Sequence, residues 1–170
     1  YWNYNRNYRK DNPRVLQGQC KRFNGINKVI KMNDINEMQL ISTHYVMAKQ
    51  VGYHGNLFGG IMLSWIDEAG AAFACQIADT GRMVTKYISE LNFHLPVRPG
   101  QLIKLYGRCV KIGNTSLTVE IEARRHSIYN GTQKSVCKCE MVFVRIDGDG
   151  EPVPIAPHIK NKLKRRKSEN

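Results

Sequence analysis

The stretch Gly52-Tyr53-His54-Gly55-Asn56-Leu57-Phe58-Gly59-Gly60-Ile61-Met62-Leu63-Ser64-Trp65-Ile66-Asp67-Glu68-Ala69-Gly70-Ala71-Ala72-Phe73-Ala74-Cys75-Gln76-Ile77-Ala78 decides the reading of this chain. A glycine-rich loop runs into a helix expected over roughly residues 59–79, apolar on every side except at Ser64, Asp67, Glu68 and Gln76. A helix apolar all round is normally buried. A carboxylate in a dry setting is costly unless it is hydrogen-bonded, paired or used in chemistry. Asp67 and Glu68 place that conflict two turns from the helix start. Thr80-Gly81 follows, with the glycine expected to close the helix in a left-handed turn.

Working outward, the segments on either side read as strands. Met38–Met47 mixes alternation with β-branched and aromatic residues. Downstream, Met83–Phe93 is a second candidate, closed by Pro96 and Pro99-Gly100, and Leu102–Ile112 a third, ended by the turn Gly113-Asn114-Thr115. Ser116–Arg125 alternates, with Leu117, Val119, Ile121 and Ala123 facing one way and Thr118, Glu120 and Glu122 the other. After a loop at Asn130-Gly131, Lys134–Ile146 is the last strand, ended by Asp147-Gly148-Asp149-Gly150. One strand, a long helix and four strands on short turns make an α+β domain, an antiparallel sheet with the helix against one face. One helix covers such a sheet poorly, so pairing with a second copy is expected.

Three segments are distinguished: a basic polar arm over 1–34, the folded domain over 35–150 and a basic tail over 151–170. The net charge of +12 is uneven. Residues 1–34 carry +6 and residues 156–170 carry +5, which leaves 35–155 at +1. Basic ends of this kind are solvated tails or contacts to a polyanion. Tyr1, Trp2, Tyr4 and Tyr8 are able to stack on bases, yet no nucleic-acid motif accompanies them, and a nucleic-acid role is not expected. No apolar run reaches the roughly 18 residues of a membrane span, and the first ten residues show no apolar signal-peptide core. The five cysteines (Cys20, Cys75, Cys109, Cys137, Cys139) are odd in number and lack metal-ligand spacing, which suits reduced thiols in a cytoplasmic protein.

Several short motifs together carry a resemblance. They are His54-Gly55-Asn56-Leu57-Phe58-Gly59-Gly60, Met62-Leu63-Ser64-Trp65-Ile66-Asp67-Glu68-Ala69, Val84-Thr85, Asn92-Phe93 with Pro96-Val97 and Gly100, and Val110-Lys111-Ile112-Gly113-Asn114-Thr115-Ser116. Over roughly residues 35–150 the chain resembles the hotdog-fold acyl-CoA thioesterases, in the branch of bacterial broad-specificity and mammalian cytosolic acyl-CoA hydrolases. The resemblance implies a long central helix wrapped by a curved antiparallel sheet of about five strands. It also implies dimers with continuous sheets and sites at the dimer interface, often assembled as trimers of dimers. The reaction implied is hydrolysis of acyl-CoA to free acid and CoA with no metal and no cofactor, CoA being part of substrate and product.

Carried over by position, Asp67 matches the catalytic aspartate, as general base or as nucleophile. The N–H groups near Gly60 are expected to hold the developing oxyanion. Phe58, Gly59, Thr85 and Phe93 fall in the substrate-binding motifs. Gly113, Thr115 and Ser116 form the turn expected near the pantetheine or nucleotide part of CoA. Residues 60, 63, 67, 71 and 74 share one helical face, with Asp67 about 10 Å along the axis from Gly60. The aspartate is therefore expected to serve donors from a partner subunit.

One departure stands out. Members of this branch carry an asparagine where this chain has Gly52, and His54 or Asn56 is expected to take its part. Glu68, about 100° round the helix from Asp67, fits a structural ion pair. His44, His94, His126 and His158 show no partner pattern, and no nucleophile-elbow sequence surrounds Ser64 or Ser89. A CoA-binding hotdog with weak turnover, a sensor or scaffold, is one competing class, kept open by Gly52; a nucleic-acid-associated protein using its basic tails is the other.

Overall fold

The computed structural model describes residues 37–160; residues 1–36, with the whole basic arm, and 161–170 of the basic tail lie outside these. The described elements are β1 (Gln39–Tyr45), a 3-10 turn (Ala48–Gln50), α1 (Gly59–Ala78), β2 (Met83–Ile88), β3 (Leu102–Ile112), β4 (Ser116–His126) and β5 (Gln133–Arg145). The strands form one sheet in the order β1-β3-β4-β5-β2, every pairing antiparallel. The order follows from the sequence pattern: β3, β4 and β5 are joined by short turns and pair as a meander. The two strands nearest the helix in sequence, β1 and β2, take the two edges.

α1 lies against the sheet through Met62, Trp65, Ile66, Ala69, Gly70, Phe73, Ala74, Ile77 and Ala78. Their spacing of three and four residues is a single stripe along the helix. At Gly70 a Cβ would stand 2.8 Å from Met141 Sδ and 3.1 Å from Phe143 Cζ, so the missing side chain lets the helix approach β5. Gly107 does the same on β3, where a Cβ would meet Ile41 Cδ1 at 2.6 Å. Beneath the stripe, Leu117, Val119, Ile121 and Ala123 of β4 are all buried, as their alternation requires.

The opposite face of the helix departs from the expectation of burial all round. Gly60, Leu63, Ser64, Glu68, Ala72 and Gln76 are exposed in the single chain. Leu63 keeps 40% of its surface in solvent. This exposed face is mixed, with Leu63 and Ala72 among Ser64, Glu68 and Gln76.

Two boundaries and one burial differ from the sequence pattern. The left-handed residue ending α1 is Asp79 (φ 49°, ψ 41°), not Gly81, and aspartate tolerates that region better than most residues. β2 stops at Ile88 rather than Phe93; two further contacts, Ser89 N–H to the Glu140 carbonyl (2.9 Å) and His94 N–H to the Val136 carbonyl (2.8 Å), tie down a segment that has left the ladder. Extended chain outside a sheet carries no different residue pattern, so sequence could not mark that end. Glu120 is 4% exposed although it points away from the helix. Arg108 Nε lies 2.9 Å from its Oε1 and Lys138 Nζ 2.7 Å from its Oε2, and these long side chains cover it.

Past β5 the chain returns to the domain. Ile155 and Ile159 are buried, Ile155 N–H donates to the Asn114 carbonyl (2.7 Å), and Lys160 Nζ donates to Asn114 Oδ1 (2.9 Å). The residues leading to the basic tail thus start from the β3–β4 turn.

Candidate active site

Asp67 lies in the middle of α1, half-buried, and its Oδ1 accepts a hydrogen bond from Thr85 Oγ1 of β2 at 2.8 Å. Eighteen residues separate the two in sequence. They meet because α1 turns back through Asp79 and lays β2 alongside the helix flank. Among the described residues no cation pairs with Asp67. Glu68 differs from its sequence reading: it makes no ion pair among the described residues and only accepts a long contact from Ser64 Oγ (3.4 Å). Its charge acts on His44, which stacks on Trp65 with ring centroids 4.4 Å apart. Burial lowers the His44 pKa, and Glu68 partly opposes that shift.

The helix start is the second group. Phe58 is the extended residue before α1 (φ −65°, ψ 130°), with no side-chain cap and no acid in the first turn. The Ile61 and Met62 N–H groups donate to the Phe58 carbonyl (3.0 and 3.3 Å). Those of Gly59 and Gly60 have no partner among the described residues, leaving two donors at the positive end of the helix dipole. A Cβ on Gly60 would stand 2.7 Å from Phe58 Cε1, so any side chain there displaces the Phe58 ring. Phe93 packs over Gly59, its ring 3.7 Å from where a Cβ would be.

Beside these donors lies a recess of about 290 Å³, lined by Asn56, Gly59, Met62, Phe93, Pro96 and Val136 among others. Its volume sits near the lower end of the 300–1,000 Å³ usual for small-molecule sites. The Asn56 carbonyl accepts the Gly52 N–H (2.8 Å), closing the loop so that Asn56 reaches the recess wall. His54 stands exposed at the loop tip, edge-on to Tyr53, and does not line it. Gly52 has room for a side chain, since a Cβ would meet nothing nearer than Phe58 Cδ2 at 3.8 Å.

Gly113, Thr115 and Ser116 form the third group. The Gly113 N–H donates to the Ser116 carbonyl (2.7 Å) and the Thr115 carbonyl accepts from the Arg145 N–H (2.8 Å). Register places Ser116 beside Val144 of β5, which pairs with Val84 of β2. This turn and Thr85 therefore share one end of the sheet. The expected residues thus fall into two sets in one chain: Asp67 and Thr85 with the 113–116 turn, and Asn56, Phe58, Gly59, Gly60 and Phe93 at the helix start. Sequence reasoning did not single out Met62, Leu95 or Val136 of the recess wall; their apolar character is that of any core residue, and no local signal marks them.

The comparisons with known proteins agree on what carries this arrangement. The thioesterase superfamily model matches residues 54–131. Acyl-CoA thioester hydrolase YciA of Salmonella typhimurium is 31% identical over 127 residues, spanning 73% of this chain and 95% of that protein. The chain belongs to the acyl-CoA thioester hydrolases of the thioesterase superfamily. A hexameric hotdog-fold thioesterase of Campylobacter jejuni superposes with TM-score 0.65 at 31% identity, covering 72% of this chain and 94% of that one. A hexameric broad-specificity acyl-coenzyme A thioesterase, solved as an aspartate-to-alanine mutant, superposes at TM-score 0.70 and 25% identity over 78% and 96%. The fold of this hydrolase is the hotdog: one long helix on an open five-stranded antiparallel sheet. Among its described residues no helix is long and apolar enough to cross a membrane. Nor is any group of three or more His, Cys, Asp or Glu arranged to hold a metal ion.

Proposed function

We propose that this chain hydrolyses acyl-CoA thioesters to a free acid and CoA at a site completed by a second copy of itself. One observation carries the reading: Asp67 is held by Thr85 alone, about 10 Å along α1 from the unpaired N–H groups at Gly59 and Gly60. One thioester carbonyl cannot touch both sets in a single chain. β2 is an edge strand whose Val84 and Tyr87 are exposed (41% and 57%), next to exposed Leu63 and Phe58 on the helix. Edge pairing of β2 with its copy covers this surface and sets the helix start of one copy toward Asp67 of the other. The hexameric relatives support self-association, with a trimer of dimers as the finer form.

In this mechanism Thr85 fixes one oxygen of Asp67 and leaves the other to act. As base, that oxygen takes a proton from water as the water oxygen bonds to the acyl carbon. As nucleophile, it bonds to the acyl carbon directly and water then cleaves the mixed anhydride. In both routes the carbonyl oxygen gains negative charge against the Gly59 and Gly60 N–H groups of the second copy. The C–S bond then breaks, with the electron pair leaving on CoA sulfur. Asn56, which lines the recess, is better placed than His54 to stand in for the asparagine missing at Gly52. The turn Gly113–Ser116 is assigned to the CoA end of the substrate.

The test is thiol release from short-, medium- and long-chain acyl-CoAs, with two inactive variants then mixed. Asp67→Ala and a loop variant, Gly60→Val, each abolish turnover alone. Mixed after partial unfolding and refolding, they regain turnover, because the heterodimer has one intact site. Mixing that restores nothing in confirmed heterodimers rejects the shared site.

A further inference from the structure

A second recess, of about 340 Å³, opens at the far end of the β3–β4 ladder from the 113–116 turn. About ten residue pairs at 3.4 Å separate the two ends, roughly 34 Å within one chain. Its walls are the Gly100–Leu102 turn and the β4–β5 hairpin. Both are built rather than loose. The Gly100 N–H donates to the Val46 carbonyl (2.8 Å), and Asn130 Oδ1 accepts both the N–H (3.1 Å) and the hydroxyl (2.8 Å) of Thr132.

The lining is cationic and polar: Gln101, Arg125, His126, Tyr129, Thr132 and Lys134, with no carboxylate. Arg125 and Lys134 stand directly opposite each other in the β4–β5 register. Like charges so placed repel. Three other cations of this sheet do meet carboxylates, Arg108 and Lys138 at Glu120 and Arg124 at Glu122. Among the described residues Arg125 and Lys134 have no such answer. Arg125 instead donates Nη1 to the Pro96 carbonyl (3.0 Å), which holds the guanidinium in place and leaves its other donors unassigned. His126 Nδ1 is buried without a partner, an unmet hydrogen bond in the same wall. At the rim Tyr129 is 94% exposed, its ring presented to solvent from a fixed turn.

A repelling cation pair, polar donors and a presented aromatic ring match one class of ligand. Phosphate oxygens meet a guanidinium in paired hydrogen bonds and an ammonium as a point charge. A planar base stacks on a tyrosine face. We infer that this recess binds a nucleoside phosphate, with its phosphates on Arg125 and Lys134 and its base on Tyr129. The ligand is either the nucleotide end of CoA, reaching here from a neighbouring copy's site, or a free nucleotide.

The experiment uses the full-length protein and calorimetric titration with ADP, for native protein, Lys134→Glu and Tyr129→Ala. Both side chains are exposed, so the variants keep the fold, which circular dichroism checks. Saturable ADP binding that weakens about tenfold or more in both variants is the expected result. Native protein that binds no ADP, or variants that bind it as native does, overturns the inference. Thioester turnover does not enter this readout, so failure here leaves the proposed hydrolysis standing, and failure of hydrolysis leaves this site standing. Two arms then separate the sources. If CoA competes with ADP, and Lys134→Glu raises KM for acyl-CoA but not for an acyl-pantetheine, the ligand is the substrate's own nucleotide. If ADP still binds at saturating CoA, it is a free nucleotide.

Discussion

Two carboxylates of this chain, one sealed and one half-buried, sit in opposite circumstances. Glu120, on the outer face of β4, is sealed from solvent, and both its oxygens face cations, Arg108 at 2.9 Å and Lys138 at 2.7 Å. Asp67, half-buried on α1, has one hydroxyl and, among the described residues, no cation. Glu120's charge is matched by cations within the chain; Asp67 keeps an oxygen uncommitted among the described residues, beside exposed Leu63 and Val84. The difference separates a carboxylate matched by cations of its own sheet from one held by a single hydroxyl, the one to which the proposed function gives the chemistry; residue type alone does not reveal it.

The comparison is broken most strongly at Asp67. Asp67→Ala lowers kcat by about a hundred- to ten-thousand-fold, the range for losing a positioned acid–base group, while the melting temperature holds. A variant that melts early instead would make Asp67 a structural residue. Glu120→Ala shows the reverse pattern, with turnover kept and stability lost. Its partners are nearly half in solvent (44% and 49%) and can be rehydrated. Denaturant unfolding should therefore give a loss of about 1–2 kcal/mol, below the 3–5 of a pair sealed on both sides. Thr85→Val sharpens the contrast: losing one hydrogen bond to a charged oxygen costs about tenfold in kcat/KM, with KM for acyl-CoA little changed.

A gain is expected from Gly52→Asn, because the loop has space for the side chain. One added hydrogen bond at the site raises kcat by up to about tenfold; equal or lower turnover would show that Asn56 already fills the part. The smallest effect concerns the thiols under the helix. Burial pushes Cys109 up to about 11, Cys137 to about 12 and Cys139 to about 11. All three are thus protonated at pH 8, and since the thiolate is the reactive form, iodoacetamide leaves them unlabelled in the folded protein. Mass spectrometry showing alkylation at any of the three would contradict their burial.

Much of this was legible in the residues. The meander β3-β4-β5 followed from alternation bounded by Gly113-Asn114 and Asn130-Gly131, because such turns are local chemistry. Asp67 stood out because a charge in an apolar helix is rare. The Asp67–Thr85 hydrogen bond was not legible: both residues were named, yet their pairing depends on where α1 turns back. Nor was the closure by Asp79, since Gly81 is the more usual residue for that conformation. The burial of Glu120 was not legible either, because strand alternation says which way a side chain points, not what its neighbours cover.

The sequence by itself determined the element types, the class of fold and the helix to which the proposed chemistry is assigned. These rest on periodicity, turn residues and motifs, all encoded within a few residues of one another. Only the tertiary structure decided that β1 and β2 are the sheet edges, that one helical face stays uncovered, and that Thr85 joins Asp67 while Asn56 and Phe93 gather at the helix start. Those facts arise from register and packing between segments distant in the chain, where the same residues serve equally well buried, paired or exposed until the neighbours are in place.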